Sequence, residues 1–399
     1  MTKYITSQNI FILLISILPV NLGLHFVQYD SYVNGLLVDY LIPTIFLQDV
    51  LAAILLILWF IENRGTLNFS KILGYKKLIY LALFLYILFI TSVFSERSFI
   101  SLAIFVRVFL YFLVGIYFAT RKQFLLSQKK LLLNILEVQL ILLSILACFQ
   151  YYGQGSVFDN YAFFGEQPYS YSTPGIAHEN VFGYTRVPAY GLFRHPNTFA
   201  GYLVILITII FYFKRYKFIL LGITALLLTF SYTAWFALVL GLIAIYKQSL
   251  ARWVMLIFFC IGLALPLFQN ILTVDNVSVS KRAELMSASY NFFAQKQLLF
   301  GCGQGCLLWN LEEYLVPTNY VRFLQPVHNV FVLLLVEGGL LAVVFLAYFL
   351  FLHIIKRREP YPLTYTILLQ VLVLLSFDHY LWTNHQTHLI FWLLVGVLI

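Results

Sequence analysis

Arg186 and Arg194 precede the run His195-Pro196-Asn197-Thr198. A guanidinium group stays charged and matches two phosphate oxygens at once. Pro196 suits the first turn of a helix, where its missing N–H is not needed. The unpaired N–H groups and the dipole at such a helix end favour an anion. Two arginines beside it therefore read as a phosphate or diphosphate site, with His195 and Asn197 in support. The plainer reading anchors the arginines to lipid headgroups.

A second block lies in the long interruption between Ile271 and His328. Arg282 sits in Ser280-Lys281-Arg282-Ala283-Glu284, and an amphipathic stretch follows. Next come Gly301, Gly303 and Gly305, then His328-Asn329 at the mouth of an apolar helix that runs on to Glu337. A neutral imidazole there can take a proton from a hydroxyl. The plainer reading of His328 is a water-facing residue at a helix end. The glycines match a phosphate cradle in composition only, because the Lys-Ser/Thr of a P-loop is missing; a tight turn fits them better. Cys302 and Cys306 can bridge only if their Cα atoms are close. Without further Cys or a nearby His, their spacing makes a weak zinc site. Asp275, Glu312 and Glu313 show no ligand-like spacing, so no metal and no cofactor are expected. A polar knot, Asp378-His379-Tyr380 to His385-Gln386, separates the last two apolar stretches. Asp378 either orients a histidine of the same cavity or belongs to a polar turn with interfacial Tyr and Trp.

These blocks must be positioned by apolar helices. Hydrophobic residues make up 62% of the 399 and charged ones 10%, which excludes an ordinary soluble domain. The pattern predicts an all-α, polytopic membrane protein of about twelve spans. They fall at 9–29, 40–61, 77–95, 98–119, 131–152, 196–213, 217–231, 233–246, 252–271, 328–355, 362–380 and 385–399. The pair 217–231 and 233–246 could also be one kinked helix. No small-residue cleavage site follows the first stretch, so it reads as a retained helix. Lysine and arginine cluster in alternate connections: Arg64 to Lys77, Arg121 to Lys130, Lys214 to Lys217, Lys247 to Arg252, and Lys356 to Arg358. By the positive-inside rule both termini are cytoplasmic, and segments 153–195 and 272–327 are two elaborated outer loops. The net charge of +9 is thus topological and implies no nucleic acid. Within the spans, Asp49, Arg107 and Glu137 need partners or a substrate path. No repeat or linker divides the chain, so 1–399 reads as one domain.

In order and placement, these motifs resemble the O-antigen ligase/polymerase superfamily of membrane glycosyltransferases. The first block carries Arg186, Gly191, Phe193, His195, Pro196, Asn197, Ala200, Tyr202 and Leu203. The second carries Arg282, Phe300-Gly301-x-Gly303-x-Gly305 and His328-Asn329-x(7)-Glu337-Gly338. The ligase-like core covers residues 184–350. The resemblance implies a GT-C type fold in the bacterial cytoplasmic membrane. It implies a donor glycan on a polyprenyl (undecaprenyl) diphosphate, transferred with inversion and without a metal at the outer face. The acceptor is a glycolipid such as lipid A-core in ligases, or another lipid-linked repeat unit in polymerases. By position, Arg186 and Arg282 match diphosphate-binding arginines and His328 the catalytic histidine; Arg194 is a nearby addition. Asn329 and Glu337 fall in the same motif. Some members carry Ser-Arg where this chain reads Ser231-Tyr232-Thr233-Ala234-Trp235. If a charge is needed there, another residue must supply it. A transporter of lipid-linked glycans and a scaffold are the other classes the composition allows.

Overall fold

The structure, a computed structural model, describes residues 6–64, 75–264, 277–296, 299–315, 324–356 and 362–398. The expected basic positions Lys71 and Arg322, and the acidic Asp275, lie outside the described residues. The fold is all-α apart from three two-stranded hairpins. Among the described residues the helices are α1 (Ser7–Ser16), α2 (Leu47–Glu62), α3 (Tyr75–Val93), α4 (Ser98–Thr120), α5 (Lys122–Ser127) and α6 (Lys129–Gly153). They continue as α7 (Pro196–Tyr212), α8 (Ile219–Leu227), α9 (Tyr232–Tyr246), α10 (Gln248–Ala264), α11 (Val277–Lys296) and α12 (Cys306–Asn310). The last are α13 (Val330–Glu337), α14 (Gly339–Lys356), α15 (Pro362–Phe377), α16 (Tyr380–Thr383) and α17 (His385–Leu398). Strands β1 (Gly23–His25) and β4 (Thr44–Phe46) pair, as do β2 (Tyr32–Val33) with β3 (Leu36–Leu37) and β5 (Glu179–Val181) with β6 (Tyr184–Arg186).

α4 and α6 are long and apolar enough to cross a membrane, and shorter apolar helices pack beside them. Large apolar side chains face outward on both, among them Val106, Phe109, Leu142 and Phe149. In water such a surface would be an aggregation liability. Inside, Trp59, Tyr111, Tyr117, Phe199 and Trp392 form part of one continuous core.

Contacts define two ends of the bundle. At one, Ser7 N–H donates to Glu62 at 2.7 Å and Arg215 pairs with Glu137 at 2.8 Å. At the other, the long segments 17–46 and 154–195 meet. Asn21 N–H donates to the Phe164 carbonyl at 3.0 Å, and Arg97 donates to the Tyr32 carbonyl at 2.8 Å. The described residues of the two chemical blocks gather toward this loop-rich end. The glycine segment of the second block also lies toward this end, where Gly303 meets Thr91 and Ser95 and Gly305 meets Leu41.

Three boundaries differ from the hydropathy pattern. The helix expected over 9–29 stops at Ser16, and the chain then runs as irregular backbone and strands to Phe46. Pro19 lacks an N–H, so the helix ladder cannot pass it undamaged. The freed carbonyls find donors in side chains. Gln48 Nε2 reaches the Ile17, Leu18 and Val20 carbonyls at 3.2, 3.2 and 2.5 Å. Gln139 Nε2 reaches those of Ile15 and Ser16 at 2.7 and 3.0 Å. Second, the helix expected from residue 40 starts at Leu47, where Asp49 accepts from the Phe46 N–H at 2.9 Å. Third, the stretch 328–355 is broken between α13 and α14, where Gly339 takes φ +81°. The stretches 217–231 and 233–246 are two helices, α8 and α9, as the pattern divides them, turned at Phe230 with φ 52°.

The glycine cluster explains the break between α13 and α14. Cys302 and Gly303 N–H groups donate to the Val336 and Glu337 carbonyls at 3.2 and 2.9 Å. A Cβ on Gly301 would lie 2.2 Å from the Glu337 carbonyl, so only glycine allows this approach. Cys302 and Cys306 are joined by a disulfide, with Cα atoms 5.8 Å apart. The cluster is a turn wedged against an interrupted helix. Asp49 and Arg107 pair across α2 and α4 at 3.2 Å, and Tyr111 OH donates to Asp49 at 2.5 Å.

Gln48→Leu strips the side-chain donor from the buried Leu18 and Val20 carbonyls, while the Ile17 carbonyl keeps the Val20 N–H at 2.9 Å. An unmet buried group costs about 1–3 kcal/mol, so the variant should melt several degrees lower in detergent. An unchanged melting temperature would mean that those carbonyls have other donors.

Candidate functional site

A cavity of about 410 Å³ opens at the loop-rich end. Its wall draws on five parts of the chain. The N-terminus of α7 supplies Arg194, His195 and Thr198. His328 comes from just before α13, and Asp378 and His379 from the turn between α15 and α16. Tyr40, Thr44 and Phe46 come from the segment after α1, and Tyr169 and Tyr190 from the segment before α7. His328, Asp378 and His379 lie outside the helices, in connections.

The hydrogen bonds fix the polar wall residue by residue. His195 caps α7: its Nδ1 accepts from the Asn197 N–H at 3.1 Å. Asn197 Nδ2 donates to Asp378 Oδ2 at 3.0 Å, and the His379 N–H donates to Asp378 Oδ1 at 2.8 Å. His379 Nδ1 lies 2.7 Å from Thr383 Oγ1, whose own proton goes to the His379 carbonyl at 3.3 Å. The threonine oxygen must therefore accept, which puts the ring proton on Nδ1 and leaves a lone pair on Nε2. The His328 and His379 rings stand edge to face with centroids 5.0 Å apart. His328 Nδ1 is enclosed and meets no hydrogen-bond partner among the described residues. One ligand atom from each of His328, Asp378 and His379 lies within 4.8 Å of the other two.

Charge follows from this packing. Burial drives the His328 imidazole down to about 3, against the upward pull of Asp378, while His379, Arg282 and His195 push it further down. Burial likewise takes His379 to about 4. Burial alone would raise the Asp378 carboxyl, but His328, His379, Arg282 and His195 hold it at about 2. The cluster is thus an ionised carboxylate beside two neutral imidazoles. Arg282, half-buried on α11, acts on every one of these groups.

The structure treats the sequence candidates unequally. It brings together Arg194, His195, Asn197 and His328, and the charge of Arg282 acts on both histidines. Arg194 donates to His25 Nε2 at 3.0 Å, and its Nε is buried without a partner among the described residues. Arg186 sits on the exposed strand β6, outside the cavity lining. Its ladder partner is Glu179, whose carboxyl is raised by burial and pulled down by Arg282. Glu179 is thus the backbone pairing partner of Arg186 and feels the charge of Arg282. Asn329 is spent on architecture: it caps α13 through the Val332 N–H at 3.1 Å and donates to the Gly262 carbonyl at 2.8 Å. Glu337 accepts from the Gly305 N–H at 2.9 Å and lines a neighbouring cavity of about 480 Å³. That second cavity is largely apolar and shares Tyr40, Ile42, Thr44, Arg107 and Thr383 with the first. His379, Thr383 and Tyr40 are missing from the sequence candidates. The adjacent Asp-His pair in a polar turn was the signal for His379; Tyr40 lay in a stretch that reads as membrane helix.

No known family profile, curated protein or solved structure matches this chain.

The two imidazoles set a sign for acid stability. Unfolded, each takes a proton near pH 6.5; folded, His328 refuses it until about 3 and His379 until about 4. Unfolding therefore takes up protons between those values, and stability falls as pH drops below about 6.5. Melting curves in detergent should show this loss, and His328→Gln should flatten it. A melting temperature that rises on acidification through this window contradicts the assignment.

Proposed function

We propose that the protein is a multi-pass membrane glycosyltransferase that moves a glycan from a polyprenyl diphosphate to an acceptor hydroxyl. The reading takes the bundle as about twelve spans, with both termini cytoplasmic and the loop-rich end outside. The observation that carries it is His328, with an unpartnered ring nitrogen, in the wall of a cavity that Arg194 also lines and that the charge of Arg282 reaches. The apolar second cavity, sharing a wall with the polar one, suits a substrate with a lipid tail and an anionic head.

The chemistry follows from charge and position. The acceptor oxygen attacks the anomeric carbon from the face opposite the phosphate, so the configuration inverts. As the new C–O bond forms, the bond to the phosphate oxygen breaks and negative charge collects on the leaving diphosphate. Arg282 and Arg194 face that charge, with Arg186 and Glu179 at the edge. Preorganised contacts of this kind lower a barrier by roughly 3 kcal/mol each. The hydroxyl proton passes to His328, and Asp378 stabilises the imidazolium that results. Asp378 is itself held by Asn197, which gives the His-Pro-Asn run a positioning role.

Arg282→Ala and His328→Ala should each lower transfer in proteoliposomes by about 10²-fold or more. If both variants transfer at the wild-type rate, the assignment is wrong. Deleting the gene separates the two acceptor types: glycan stranded on its carrier means a ligase, and single repeat units on the normal acceptor mean a polymerase. One observation favours a second reading, a lipid-linked glycan transporter: a helix broken at Gly338–Gly339 beside buried Glu337. A transporter would move donor across vesicles without acceptor, and would do so with His328→Ala.

A further inference from the structure

We propose that His328, Asp378 and His379 form a site for a divalent transition-metal ion of the zinc class, and that this ion competes with the acceptor hydroxyl for His328. The metal site stands on its own geometry; the competition rests on the glycosyl-transfer reading.

The donor set is two imidazole nitrogens and one carboxylate oxygen. Zinc takes this set where three protein ligands leave a fourth position open. Here that position faces the cavity, since all three residues line it. The three ligand atoms already lie within 4.8 Å of one another. Bonds of about 2.0–2.1 Å would bring them to roughly 3.4 Å apart, a closing within reach of side-chain rotation.

The surroundings are those of a supported ligand set. A metal-binding histidine generally donates its second ring nitrogen to a fixed oxygen. His379 does so: its Nδ1 bonds Thr383, and Nε2 keeps the lone pair. Asp378 is held by Asn197 and by the His379 N–H, each of which leaves its acceptor oxygen a further lone pair. His328 adds the independent observation, an enclosed Nδ1 that no described protein group bonds. Cys302 and Cys306 are tied in a disulfide and offer no rival site.

One feature opposes the ion. Arg282 exerts its charge on all three ligands. Binding is therefore exchangeable rather than structural, and removing that charge should tighten it. A bound ion would occupy the lone pair that the hydroxyl proton needs, so the metal-loaded protein would not transfer.

The test uses tag-free, full-length protein in detergent, stripped with EDTA and titrated with Co²⁺ as a spectroscopic probe. The expected result is a saturable visible ligand-field band at one ion per chain, displaced by Zn²⁺. Asp378→Asn keeps the side-chain shape and should abolish the band; His379→Ala should do the same. Arg282→Ala should bind about tenfold more tightly. Melting curves identify any variant that has failed to fold, and the wild-type titration decides without them. No band in wild type, or a band unchanged in folded Asp378→Asn, overturns the site. Zn²⁺ should inhibit wild-type transfer, and EDTA should restore it. Transfer lost on EDTA treatment, or untouched by saturating Zn²⁺, overturns the competition. A Co²⁺ band in a protein that transfers no glycan leaves the site standing and sinks the enzyme reading.

Discussion

Non-helical backbone within an apolar bundle must find hydrogen bonds inside the protein, and here glutamine side chains provide them. Gln48 and Gln139 satisfy the carbonyls released where α1 stops. Gln150 donates to the Gly191 carbonyl and accepts from the Tyr190 and Gly191 N–H groups, at 2.9, 3.0 and 2.7 Å. Gln386 ties the Pro19 carbonyl to the start of α17 at 2.6 Å. These four side chains let two long irregular segments fold down onto the helix ends. Without them the segments would have to stay in water, and the cavity would lose two of its walls.

Electrostatics then acts on a space already closed. Asp378 sits among imidazoles and within reach of Arg282, so it stays ionised despite its burial. Its two oxygens are held by Asn197 and by backbone, which fixes the carboxylate against the His328 and His379 rings. One anion thus organises groups from α7, from the connection before α13 and from the α15–α16 turn. The arginines lie around this core rather than within its hydrogen-bond network. They remain able to meet a charged substrate group, and they oppose a bound cation.

Glycine governs the packing behind α13. The segment 299–306 lies against the break between α13 and α14, with backbone donors on the Val336 and Glu337 carbonyls. Half-helices and an inserted turn are features that carriers also use. In this chain the insertion supports α13, and α13 in turn presents His328 to the cavity. The same irregularity can serve positioning as readily as movement.

Much of this was legible from local pattern. The helical class, the start of α7 at Pro196, the amphipathic α11 and the tight turn at Gly301–Gly305 follow from apolar period, proline placement and glycine chemistry, all of which act over a few residues. The gathering of Arg194, His195, Asn197 and His328 was suggested by motif order and charge placement. What local pattern could not give was the end of α1 at Ser16, because the apolar run continues past it while the donors that permit the stop sit at Gln48 and Gln139. Nor could it show that Asn197 holds Asp378, that Thr383 sets the His379 ring, or that Arg186 lies on a hairpin outside the cavity lining. Those contacts join positions up to 181 residues apart in sequence. Sequence period reports which face of a helix is buried, whereas the partner across the bundle is chosen only when the whole chain packs.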